Sequence, residues 1–118
     1  MIVRMFKPRF APQVKGGTKT QTIRPTPKRM PKVGDKISLR KWSEKPYRSK
    51  QIVLKESVVE FVSRITITEN RITINDSVLE HTHKFAQLDG FCDFDEMKLW
   101  FKQEHGPLPF SGIIIYWE

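Results

Sequence analysis

Fifteen Lys or Arg stand among residues 1–50 against two acids, Asp35 and Glu44, and Phe6, Phe10, Trp42 and Tyr47 lie among them. Cations in such numbers neutralise phosphates and release counterions, and aromatic faces stack on unpaired bases. This part of the chain therefore points to a polyanionic partner, with nucleic acid favoured over a basic surface that only aids solubility. Residues 51–118 hold six Lys or Arg against eleven acids, so the formal net charge of +8 hides a basic character that is local.

The other reactive side chains are thinner. His81 and His83 have no further ligands at a metal-binding spacing, so they are expected as surface or helix-end residues, and the sequence calls for no metal and no cofactor. None of His81, His83 and His105 has an evident acid–base partner. Cys92 is the lone cysteine. It excludes an internal disulfide, fits a reducing compartment, and is expected as a small buried apolar residue, since nearby acids would raise its thiol pKa.

The elements that must position these residues follow from periodicity. At 118 residues the chain suits one domain with one core, residues 1–118. Ile2 to Phe6 reads as a short strand, and Pro8 opens a turn of helix with Phe10 and Val14 on one face, ended by Gly16-Gly17. The β-branched run Thr18 to Arg24 reads as a strand, followed by a proline-punctuated loop to Pro31. Val33-Gly34-Asp35 opens the next strand, Lys36 to Trp42. Ile52 to Thr68 is mainly extended, and Ile65 and Ile67 pair with Ile72 and Ile74 across a turn at Glu69-Asn70.

Asp93 is expected to cap a helix over residues 94–104, with Glu96 completing a capping box and Phe94, Met97, Trp100 and Phe101 as its core stripe. Gly106 closes it, and Gly112 to Trp117 reads as a central strand. The sum is an α+β fold of about six short, mostly antiparallel strands with a short N-terminal helix and one amphipathic helix, or a helix-plugged barrel. For Trp42 and Tyr47, packing inside that barrel is slightly favoured over base stacking. No apolar run approaches the roughly 20 residues of a membrane span, and the first residues are charged, so a soluble, cytoplasmic protein with no membrane partner is expected.

Four pieces in order, Gly17-Thr18-Lys19-Thr20-Gln21-Thr22-Ile23-Arg24, Val33-Gly34-Asp35, Asp89-Gly90-Phe91 before a helix, and a closing strand ending in Trp117, resemble the ASCH family. The resemblance spans almost the whole chain and implies a small PUA-like β-barrel. It also implies a cleft between the Lys-Thr-x-Thr-Ile-Arg strand and the loop before the late helix, which accepts RNA or a nucleoside. Within the family, the motif Lys19-Thr20-x-Thr22-Ile23-Arg24 is most similar to that of the bacterial 4-acetylcytidine amidohydrolases, which use a lysine, a threonine and a glutamate. The first two carry over onto Lys19 and Thr22. At the place of the glutamate stands Asp89, one methylene shorter.

The resemblance thus leaves two main readings. In one, the domain binds RNA or a modified nucleoside, with Arg24, Lys28, Arg29, Arg40, Lys41 and Trp42 as nucleic-acid contacts. In the other it is a nucleoside amidohydrolase with Lys19, Thr22 and Asp89 catalytic; ribonuclease activity and a regulatory protein-binding role are further alternatives. For amide hydrolysis Lys19 must lose its proton near neutrality, which burial and the nearby Arg24 promote and Asp89 opposes. Direct attack by Thr22 and activation of Thr22 by a water held between Lys19 and Asp89 fit the residues equally. On a regular strand Thr20, Thr22 and Arg24 share one face and Gln21 and Ile23 the other, so Lys19 meets Thr22 only from the turn after Gly17.

Overall fold

A computed structural model describes residues 1–117 and contains a mixed seven-stranded sheet with three helices. In chain order these are β1 (Ile2–Met5), α1 (Ala11–Gly16), β2 (Gln21–Arg24), β3 (Lys36–Trp42), β4 (Gln51–Ile67), β5 (Ile72–Ile74), β6 (Ser77–Val78), α2 (Thr82–Leu88), α3 (Phe94–His105) and β7 (Phe110–Trp117). None of the helices is long and apolar enough to cross a membrane.

The 17-residue β4 is the spine. Its first half runs antiparallel to β3, from Gln51 opposite Trp42 to Val58 opposite Lys36, across a register shift at Leu39 and Arg40. Its second half runs antiparallel to β7, from Val59 opposite Trp117 to Ile67 opposite Phe110. β7 in turn pairs with β2, placing Thr22 opposite Ile115 and Arg24 opposite Ile113. β1 lies parallel to β3, a pairing that the mostly antiparallel expectation did not specify. Among the described residues β1, β2 and β6 each pair with one neighbour, so the ladders leave open edges.

The expected hairpin is present, with Ile65 opposite Ile74 and Ile67 opposite Ile72. The backbone that needs positive φ lies one turn later. Asn75 (φ 51°) and Asp76 (φ 71°) form the two-residue link between β5 and β6, where short polar side chains tolerate the left-handed region. Asp93 Oδ1 accepts the Glu96 N–H at 2.8 Å, capping α3 as expected. Glu96, however, reaches back to the N–H of Cys92 at 3.0 Å.

The core forms where β3, β4 and β7 meet the helices, with Ile37, Leu39, Ile65, Ile67, Ile72, Ile113, Ile114 and Ile115 almost fully buried. Phe94, Met97 and Phe101 of α3 join them, whereas Trp100 is only partly buried. Val14 seats α1 on the same core. α2 was not anticipated: it is seven residues long and buries only Phe85 and Ala86. Its place in the chain matters, because its C-terminus delivers Asp89.

Candidate functional site

The site begins where α1 ends. The N–H groups of Thr18 and Lys19 both donate to the Gln13 carbonyl at 3.0 Å, so the chain turns tightly and Lys19 precedes β2 instead of lying within it. Its side chain is thereby turned inward and is 4% exposed. Asp89 arrives from the other side as the C-cap of α2, with its N–H donating to the Phe85 and Ala86 carbonyls. Gly90 follows at φ +102°, and a Cβ there would strike Gln13 Oε1 and lie 2.9 Å from Phe10 Cδ1. The bare glycine lets the turn after Asp89 close onto α1.

These two turns bring Lys19 and Asp89 together. The Lys19 ammonium donates to the Asp89 carbonyl at 2.6 Å and to Asp89 Oδ1 at 3.0 Å, and lies 5.1 Å from the centre of the Phe10 ring. Gln21 Nε2 donates to the same Oδ1 at 3.3 Å. Gln21 is a participant that the sequence reading missed, although its i+2 spacing from Lys19 was the available signal. Burial pushes the Lys19 pKa down and the Asp89 pKa up. The attraction between them opposes both shifts, and Arg24 presses in the same direction as burial on Lys19 and against it on Asp89.

Thr22 and Arg24 stand on the other parity of β2. Arg24 Nε donates to Thr22 Oγ1 at 3.1 Å, its terminal nitrogen donates to the Met5 carbonyl at 2.8 Å, and the guanidinium lies 5.1 Å from the Phe6 ring centre. Burial, reinforced by Arg4, lowers the Arg24 pKa to about 10, which leaves it cationic at neutral pH. Thr22 thus hydrogen-bonds to Arg24, and no bond joins its hydroxyl to Lys19 or Asp89 among the described residues. Gly112 on β7 allows this approach, since a Cβ there would meet the Arg24 carbonyl.

Lys19, Thr22, Arg24 and Asp89 line one cavity of about 420 Å³. Trp42, Glu44 and Tyr47 line it from the end of β3 and the segment that follows, and Trp100, Glu104 and His105 from α3. The Trp42 and Tyr47 ring centres are 5.2 Å apart. Tyr47 is 88% exposed and sits at φ 63°, so it stands on the cavity rim, against the expectation that it is packed, while Trp42 is half-buried at the end of β3. Lys7 forms an ion pair with Glu104 beside the same opening.

The other expected contacts are placed elsewhere. Arg40 donates to Ser38 Oγ and Gln51 Oε1, both at 2.8 Å, and it and the half-buried Lys41 lie on β3 outside the cavity lining. Lys28 and Arg29 are exposed between β2 and β3, with Arg29 on a second hollow. His83 Nδ1 accepts the Phe94 N–H at 3.1 Å, a structural role at the start of α3. Cys92 is exposed, not buried as expected, because its backbone is drawn outward to Glu96 at the start of α3. No cluster of three or more His, Cys, Asp or Glu is placed to hold a metal ion among the described residues. No family model, curated protein or solved structure matches the chain.

Proposed function

We propose that the protein is an RNA- or nucleoside-binding domain of the ASCH kind, on a PUA-like fold, whose cavity receives a base. One observation carries this reading: Arg24, the Lys19–Asp89 pair and the Trp42–Tyr47 ring pair line the same cavity. A base requires a flat apolar surface and a few polar groups aimed at its edge, and a volume of a few hundred Å³ suits it. Here the Trp42 or Tyr47 ring, the two inclined at 48°, offers the surface, while Arg24 offers donors and the Asp89 carboxylate an acceptor. The cations of residues 1–50 would face the phosphates of a strand. Titration of the protein with the four ribonucleosides and with mixed-sequence RNA, at low and moderate salt, tests the reading. Saturable binding of either class, with RNA affinity falling as salt rises, is expected; no binding to either would overturn it.

A second reading, deacylation of a modified nucleoside such as 4-acetylcytidine, is favoured by the burial of Lys19 and Asp89 side by side in the cavity wall that Thr22 shares. In it, a water gives up a proton to the Asp89 carboxylate and adds to the acyl carbonyl, the Lys19 ammonium gives a proton to the leaving nitrogen, and the proton on Asp89 then restores Lys19. The acyl C–N bond breaks, and hydrolysis leaves cytidine and acetate. Chromatography after incubation with 4-acetylcytidine is the test, with product expected from the native chain and none from Lys19→Ala. Equal product from both would sink this reading.

A further inference from the structure

A second hollow of about 380 Å³ lies beside the cavity, lined by Arg4, Arg29 and Lys36 together with Pro27, Met30 and Asp35. Its three cations take part in no ion pair among the described residues, and Arg29 and Lys36 are exposed. Asp35 is the one acid there, and its Oδ2 is engaged by the Lys32 N–H at 2.9 Å. Arg4 is half-buried, and its guanidinium donates to the carbonyl of Val3 at 3.0 Å. An anion placed in a concavity lined by three cations is attracted by all of them.

The hollow and the cavity have no lining residue in common but border each other in sequence at two places. Along β1, Arg4 lines the hollow and Met5 the cavity; after β2, Pro25 lines the cavity and Pro27 the hollow. Arg4 and Arg24 are near enough for the charge of one to lower the pKa of the other. A chain of alternating bases and phosphates could therefore pass from one site to the next, with Arg4 at the hollow and Arg24 at the cavity on either side of the step.

We infer that the hollow at Arg4, Arg29 and Lys36 is a phosphate subsite, so that the ligand is a single-stranded polynucleotide whose backbone crosses it while one base occupies the cavity. This rests on the reading of the cavity as a base site. It narrows that reading to a polymer, since a free nucleoside fills the cavity and leaves the three cations unmatched. A free nucleotide is the other source of a phosphate joined to a base, and the experiment includes it.

The test compares the native chain with Arg29→Ala/Lys36→Ala, whose exposed side chains make no ion pair among the described residues. Binding is measured by anisotropy for a fluorescein-labelled mixed-sequence RNA hexamer, and by calorimetry for the four ribonucleosides and their 5′-triphosphates. The expected result is a hexamer bound more tightly than any triphosphate. In the double variant, hexamer affinity falls at least tenfold and its log–log salt slope shrinks by about 1.4, two phosphates at roughly 0.7 each on a single strand. Nucleoside affinity stays unchanged. A hexamer bound equally by both proteins overturns the inference while the base site stands. Triphosphates bound as tightly as the hexamer overturn the strand in favour of a free nucleotide. No binding of any nucleoside, triphosphate or hexamer overturns the base site itself.

Discussion

The Lys19 ammonium and the Asp89 carboxylate lie 3.0 Å apart across seventy positions of sequence, both almost withdrawn from solvent. Two charges in that state are held mainly by each other, and removal of one strands the other. Lys19→Met is expected to cost about 3–5 kcal/mol of stability in urea denaturation at pH 7, and Lys19→Met/Asp89→Asn clearly less than the sum of the singles. The sign with pH also follows. Burial already raises the Asp89 pKa, and loss of Lys19 removes the cation that opposes the rise. A carboxyl whose folded pKa is raised stabilises the fold below its unfolded value, and that contribution is lost as pH rises through the folded value. The deficit of Lys19→Met should therefore shrink as pH falls from 7 toward 4; a deficit constant over that range would contradict the coupling.

Gly90→Ala tests how Asp89 is placed. The new Cβ would sit 2.9 Å from Phe10 Cδ1 in a backbone at φ +102°, so it meets both a steric and a conformational cost. A loss above about 1 kcal/mol is expected, because alanine is poorly accommodated where φ is positive. Thermal unfolding of the variant measures it, and an unchanged Tm would show that the turn has room to move.

Tyr47→Ala separates ligand binding from folding. Tyr47 is exposed, so its loss should leave stability within about 0.5 kcal/mol of the native value. If Tyr47 and Trp42 form the stacking surface, RNA affinity falls by about 1–3 kcal/mol for a lost base stack. Calorimetric titration beside a denaturation curve reads both, and undiminished affinity counts against the aromatic rim.

His105 should mark the cavity wall in a pH titration. Burial lowers its pKa, Arg24 and Lys7 push the same way, and Glu104 opposes them. A histidine with a depressed folded pKa gives stability that is complete above its ordinary value of about 6.5 and is lost as pH falls through the folded value. The imidazole resonances of His105 should titrate below those of a free histidine. A midpoint at or above 6.5 would contradict that depression.

How far the sequence reading reached depended on whether a pattern was local. The hairpin of Ile65, Ile67, Ile72 and Ile74 was legible because strand periodicity repeats every two residues. α3 was legible because Asp93, Glu96 and the Phe94, Met97, Phe101 stripe agree on its start and its buried face. α2 was not, since one short helix with only Phe85 and Ala86 buried and no side-chain cap leaves too little periodicity to detect. The basic run was plain, but its division between a cavity holding Arg24 and a hollow holding Arg4, Arg29 and Lys36 depends on chain crossings. Tyr47 was not legible for a similar reason: an aromatic side chain has the same composition in a core as on a rim, and the loop that turns Tyr47 outward decides.

Partner choice in the sheet bears on when the site exists during folding. β2 carries Gln21, Thr22 and Arg24, and its one strand partner among the described residues is β7, some ninety positions later. A growing chain that has emerged only through α3 thus has β1, β3, β4 and their hairpin available to pair, yet nothing to hold β2 in register. Closing so long a loop is entropically slow and pays back only when residues 110–117 arrive. Because β7 also carries Ile113, Ile114, Ile115 and Trp117 of the core, completion of the core and ligand-binding competence are expected together and last, and nascent fragments that stop before β7 would have neither.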